Sequence, residues 1–139
     1  LVYIRAYNDN PALKKLPKNT QIFGEIFGIQ DIKYGLKNGQ IGLAIFAVRR
    51  GRKFLNYIDF ISFCEDYNLP KVPVLYTGVY SEEVVSAFNN AQSVISSDSI
   101  MEGVIIQPIV ERTHPEIGRV TLKLISDRYL LRKGGTELH

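Results

Sequence analysis

The chain has 139 residues, 45% of them apolar, 11% aromatic and 22% charged, which excludes a disordered tail and suits one domain burying about two-thirds of its unfolded surface. Seventeen Lys and Arg against fourteen Asp and Glu leave a net charge of +3, a pointer to phosphate-bearing partners only where charge is clustered. One cysteine and two histidines exclude an internal disulfide, a cysteine-built zinc cage and a multi-histidine metal site, and no apolar run reaches the ~18–20 residues of a membrane span.

The first residues, Leu1–Tyr7, alternate apolar and polar side chains and are predicted to form a strand. Gln21–Phe27 is rich in strand formers but carries Gly24, and Ile41–Val48 is an almost unbroken apolar run of strand length, as expected when both faces are covered. Arg49-Arg50-Gly51-Arg52 reads as a basic hairpin turn, with Gly51 free to take positive φ. Tyr57, Phe60, Ile61, Cys64 and Tyr67 recur at helical spacing, so a helix is expected that starts at Asn56 and stops before Pro70, with Cys64 as a core thiol. Val72–Gly78, Gly103–Val110 and Arg119–Ile125 repeat the strand pattern. Ser81 is expected to cap a helix running to about Asn90, and Ser126 a short last turn through Leu131. The sum is an α+β fold over a single domain, 1–139, with mostly antiparallel strands and two or three helices. The opening Leu-Val-Tyr-Ile-Arg lacks a signal peptide's basic leader and cleavage pattern, and with a lone thiol this gives the expectation of a cytoplasmic protein and no membrane partner.

Three charged residues stand inside apolar segments. Glu25 lies in Phe23-Gly24-Glu25-Ile26-Phe27-Gly28, where it either faces solvent on a half-buried strand or meets a sugar hydroxyl, a metal or a basic side chain. Glu102 opens Glu102-Gly103-Val104-Ile105-Ile106, and carboxylate oxygens are what Mg²⁺ takes beside water and phosphate. Lys123, between Leu122 and Leu124, is either the outward residue of an alternating strand or an ammonium that needs a phosphate or carboxylate partner.

Taken in order, Phe-Gly-Glu-Ile-Phe-Gly, Ile-Gln-Asp-Ile-Lys-Tyr-Gly, Ala-Ile-Phe-Ala-Val, Glu-Gly-Val-Ile-Ile-Gln-Pro and Leu-Lys-Leu-Ile-Ser resemble the RNA ligase family. The likeness covers roughly residues 20–131 and is nearest to the nick-sealing bacterial and phage ligases, particularly the Deinococcus type. It implies the antiparallel sheets of a nucleotidyltransferase fold around a nucleotide cleft. It also implies an ATP-dependent enzyme that forms a lysyl-AMP with Mg²⁺ or Mn²⁺, passes AMP to a 5′-phosphate of RNA or nicked duplex, and seals with a 3′-hydroxyl. By position, Glu25 matches the carboxylate that holds the ribose, Phe46 the aromatic that stacks on adenine, Glu102 the acid that supports the metal, and Lys123 the lysine that contacts the α-phosphate.

The sequence also departs from the family pattern. No lysine stands in the family's nucleophile segment, Lys-x-Asp-Gly or Lys-x-His-Gly: Lys14-Lys15-Leu16-Pro17 and Lys18-Asn19-Thr20 lack the acid or histidine and the glycine, Lys37-Asn38-Gly39 has the wrong spacing and order, and Lys133-Gly134-Gly135-Thr136 is one residue short and follows the last motif. The expectation is therefore a partial adenylyltransferase domain that lacks its first strands and nucleophile and is inactive alone. Ala47, Gln107 and Ile125 stand where relatives often carry Asp, a basic residue and a second lysine. Other readings are a DNA ligase or capping enzyme of the same superfamily, or a nucleotide- or RNA-binding module. Two basic clusters, Arg49–Lys53 and Arg128, Arg132 and Lys133, are either solvated or grip phosphate, and His114, next to Pro115 in a polar loop, is expected to be exposed.

Overall fold

A computed structural model describes residues 1–29 and 32–132. Gln30, Asp31, Lys133 and His139 lie outside the described residues. The chain packs as two compact units. The first comprises Leu1–Ile26, Ile41–Val72 and Gln107–Val120, and the second Phe27–Gln40, Pro73–Ile106 and the chain from Thr121 onward.

The first unit opens with helix α1, Val2–Asp9, where the sequence pattern predicts a strand. Seven residues are too few for an alternating pattern to decide between periods. Helical spacing instead sets Arg5 beside Asp9, 3.5 Å apart, and buries only Ala6. A 3-10 turn, Pro11–Lys15, follows. Strands β1 (Thr20–Phe27), β2 (Gly42–Arg50) and β3 (Lys53–Phe54) form a sheet in that order. The apolar run of β2 buries Ala44, Ile45, Ala47 and Val48, so both of its faces are covered as expected. β2 and β3 pair antiparallel about the basic hairpin, and Gly51 takes φ 59° at its tip.

Helix α2, Tyr57–Asp66, lays Phe60, Phe63 and Cys64 against Ile45, Val48 and Leu69, which together form the core. Burial pushes the Cys64 thiol up from its ordinary pKa, so it stays protonated and inert. Asn56 sits at the helix start, but its side chain does not cap the helix; its Oδ1 accepts from the Glu111 N–H at 2.9 Å. The helix is left through Asn68 at φ 51°, before Pro70. The expected strand Val72–Gly78 is absent. Only Lys71 bridges Ile45, with the Val72 N–H donating to the Ile45 carbonyl at 2.9 Å; Pro73, which follows at once, has no N–H to offer on the opposite edge. A small antiparallel pair, β5 (Thr113–His114) with β6 (Gly118–Arg119), completes the unit. Its Arg119 forms a bidentate ion pair with Glu111 and lies over the Phe54 ring at 4.1 Å.

The second unit contains α3 (Glu82–Ser86), β4 (Gly103–Ile106), β7 (Leu122–Ile125) and α4 (Asp127–Leu130). Ser81 accepts from the Val84 N–H at 3.2 Å and Ser126 from the Tyr129 N–H at 3.1 Å, so both expected caps form. α3 is shorter than expected, ending at Ser86. β4 stops at Ile106, two residues before Pro108, and pairs antiparallel with β7 from Gly103↔Ile125 to Ile106↔Leu122. The single strand expected over Arg119–Ile125 is thus two, since Arg119 belongs to β6 in the first unit and Leu122–Ile125 to β7 in the second. Mixed helices and antiparallel strands bear out the α+β reading.

Candidate functional site

In the first unit, Glu25 and Phe46 stand on the neighbouring strands β1 and β2. The contact between these strands explains Gly24: a Cβ built there would lie 2.8 Å from the Ala44 carbonyl oxygen and 3.2 Å from the Ile45 Cα. Gly24 therefore serves the approach of two backbones, and Glu25 projects next to that crossing. Glu25 is exposed, and its carboxylate has no hydrogen-bond or ionic partner among the described residues. Phe46 is half-buried between Ile45 at 0% and Ala47 at 3% exposure, so the strand on which it is mounted is held rigidly. An exposed carboxylate with no partner among the described residues can accept hydroxyl protons, and a half-buried aromatic ring can stack on a base.

In the second unit, Glu102 and Lys123 stand on the β4–β7 ladder. The Ser126 N–H donates to the Glu102 carbonyl at 2.8 Å, and Lys123 is paired with Ile105. The two charged residues are thus offset by three positions along the ladder, about 10 Å, and the odd offset puts their side chains on opposite faces of the strand pair. Gly103 has the same use as Gly24, since a Cβ there would run into the Leu124 carbonyl oxygen. Lys123 is exposed, the outward alternative of the sequence reading, with no partner for its ammonium among the described residues. No side-chain bond joins it to Glu102.

Glu102 is half-buried and is held by a residue to which the sequence reading gave no role. The Tyr34 hydroxyl donates to Glu102 Oε1 at 2.9 Å, and the Tyr34 ring meets Phe27 edge-on at 5.7 Å between centroids. Burial first, and the adjoining carboxylate second, raise the Tyr34 pKa far above that of an ordinary tyrosine, against the smaller opposing effect of the Glu102 backbone. Around neutral pH the phenol is consequently protonated and donates to the carboxylate. Its only sequence signal is a tyrosine before a glycine in the Ile-Lys-Tyr-Gly segment, and a contact spanning 68 residues leaves no local pattern.

Tyr34 occupies one carboxylate oxygen of Glu102 and leaves the other available. Among the described residues no three His, Cys, Asp or Glu side chains gather around one point. That donor set fits Mg²⁺ or Mn²⁺ carried on phosphate, because Mg²⁺ commonly takes one or two carboxylates and completes its shell with water and phosphate oxygens. Of the second basic cluster, Arg128 and Arg132 make contacts within the protein, and Lys133 lies outside the described residues. The Arg128 guanidinium donates to the Asn90 carbonyl at 3.2 Å, and Arg132, beyond the end of α4, stacks on Tyr129 at 3.5 Å. Among the described residues no helix is long and apolar enough to cross a membrane.

Comparison with known proteins gives two matches. The family model for RNA ligase matches residues 2–125. A solved structure, a lysine-to-alanine variant of the Naegleria gruberi RNA ligase with ATP and Mn, superposes with a TM-score of 0.70 at 21% identity. The match covers 91% of this chain and 39% of that one, so the chain spans well under half of that ligase's length. None of the curated proteins matches significantly.

Proposed function

The chain belongs to the RNA ligase family, and from that premise we propose that the protein containing it is an ATP-dependent RNA ligase whose adenylyltransferase machinery includes Glu25, Phe46, Glu102 and Lys123. The observation that carries the reading is Glu102, a half-buried carboxylate at the head of β4 that Tyr34 fixes through one oxygen. Glu25 accepts from the ribose hydroxyls and Phe46 stacks on adenine. Lys123 places a fixed positive charge on the α-phosphate, where negative charge builds as pyrophosphate leaves. Glu102 holds a divalent ion, which supplies charge neutralisation on the phosphates when bound.

The transfer proceeds in three displacements. A lysine Nζ, having lost its proton, forms a P–N bond to the α-phosphorus of ATP while the bond to pyrophosphate breaks. A 5′-phosphate oxygen of the RNA then takes AMP from that nitrogen, and a 3′-hydroxyl oxygen displaces AMP to close the phosphodiester. None of the lysines in this sequence occupies a Lys-x-Asp-Gly or Lys-x-His-Gly segment, so the nucleophile is not assigned to any of them. A second reading is a nucleotide- or RNA-binding module without transfer chemistry.

One experiment separates the two. The complete gene product is incubated with labelled ATP and Mg²⁺ and digested, and peptide mass spectrometry locates a covalent AMP. An adduct on a lysine supports the ligase reading, and its absence with ATP still bound supports the binding module. Given an adduct, Glu102→Ala and Lys123→Ala each cut the rate of its formation by about tenfold or more with the circular dichroism spectrum unchanged. Formation at the wild-type rate in both variants would overturn the assignment of these residues.

A further inference from the structure

The first unit carries a basic surface for which the four residues above have no use. The Gly51 N–H at the tip of the β2–β3 hairpin donates to the Asn19 carbonyl at 2.8 Å. That bond brings Lys18, one residue from Asn19, beside Arg50 and Arg52, which flank Gly51, and beside Lys53. Lys14 and Lys15 extend the patch from the 3-10 turn, whose Ala12 and Leu13 are packed on the same core as β2. All six cations are exposed, and none is in an ion pair among the described residues. The sequence has no Asp or Glu from Asn10 to Gly24, nor from Gly42 to Ile58. Two segments far apart in the chain are therefore both free of acid and are tied together at their turns.

Resting on the ligase reading, we infer that Lys18, Arg50, Arg52 and Lys53, with Lys14 and Lys15 at the margin, form a docking surface for the ribose-phosphate backbone of RNA. Uncompensated cations at a convex hairpin tip favour an extended polyanion, whose phosphates recur along its length. Two of the four central residues are arginines, whose planar fork matches phosphate oxygens. An anionic membrane is the poorer fit. Interfacial binding needs an apolar anchor among the cations, and among the described residues no large exposed apolar side chain occurs between Gly42 and Tyr57, around the hairpin; the exposed Tyr7 ring lies under Lys14, at the margin only. Backbone contacts of this kind hold and orient a strand without reading its sequence.

The test uses the complete gene product and its combined variant Arg50→Gln, Arg52→Gln and Lys53→Gln. A labelled single-stranded RNA is titrated by fluorescence anisotropy at several KCl concentrations, alongside covalent AMP formation from ATP. The expected result is RNA affinity about tenfold or more weaker and a log–log salt slope shallower by about two, three lost phosphate contacts on a single strand. AMP formation stays at the wild-type rate. Lys14→Gln with Lys15→Gln and Lys18→Gln, a set on the other segment, is expected to act in the same direction. Wild-type RNA affinity and salt slope in both sets would overturn the inference. Wild-type protein that binds phosphatidylserine vesicles through these residues, and RNA not at all, also overturns it. Failure of the ligase reading looks different: no AMP adduct forms in the wild type, while RNA binding still follows the patch.

Discussion

Tyr34 takes φ 48°, a left-handed backbone conformation that few residues other than glycine adopt, and what it obtains there is the hydrogen bond to Glu102 and the ring contact with Phe27. Because its folded pKa is raised, the folded state holds the phenolic proton more tightly than the unfolded chain does. Its contribution to stability is therefore complete below about pH 10, the ordinary tyrosine value, and is lost as pH rises past it toward the folded value. The advantage of wild type over Tyr34→Phe in urea unfolding is accordingly expected near neutrality and to shrink in alkali. If the difference is flat with pH, the phenol does not share its proton with Glu102 as described. The same variant frees the carboxylate from its only side-chain partner among the described residues. We expect it to raise the Mg²⁺ concentration for half-maximal adenylylation several-fold while leaving the KM for ATP unchanged. A lowered melting temperature with an unchanged Mg²⁺ requirement would make Tyr34 a packing residue only.

Among the elements, those whose stripes and caps are local were legible in the sequence. α2 follows from its apolar spacing and α4 from Ser126, and β2 from a run too apolar to face water on either side. What stayed hidden depends on partners distant in the chain. Leu1–Tyr7 fits either period, and the alternation across Arg119–Ile125 continues through a point where the chain passes from one unit to the other. The charged residues of the candidate site were legible because polar side chains interrupt apolar strands. The meaning of their neighbouring glycines was only half legible, since the sequence shows that something comes close but not what. At both Gly24 and Gly103 it is the adjoining strand's backbone. Gly24→Ala and Gly103→Ala are thus expected to destabilise the fold by about 1–3 kcal/mol through strand displacement, the second more than the first because its Cβ meets the Leu124 carbonyl oxygen more closely. Thermal unfolding of both variants measures this. A melting temperature equal to wild type in Gly103→Ala would mean that the ladder yields without cost.

At the scale of the whole molecule, each unit supplies one pair of candidate residues, and the pairs differ in chemistry. In the proposed reading the first unit's pair, Glu25 and Phe46, recognises the nucleoside, which is the same before and after transfer. In that reading the second unit's pair, Glu102 held by Tyr34 and Lys123, addresses phosphate, where charge changes during the reaction. An interaction equal in ground and transition states alters KM, whereas one that strengthens only in the transition state alters kcat. The variants should therefore divide by unit. Phe46→Leu and Glu25→Ala raise the KM for ATP in adenylylation with kcat nearly unchanged, and Lys123→Ala lowers kcat with a smaller change in KM. Initial rates of covalent AMP formation across a range of ATP concentrations give both constants for each variant. An unchanged ATP requirement in Phe46→Leu would remove the stacking role. A fall in kcat with no rise in KM would show that the first unit bears on the reacting phosphate itself, because loss of nucleoside recognition alone cannot slow a saturated enzyme.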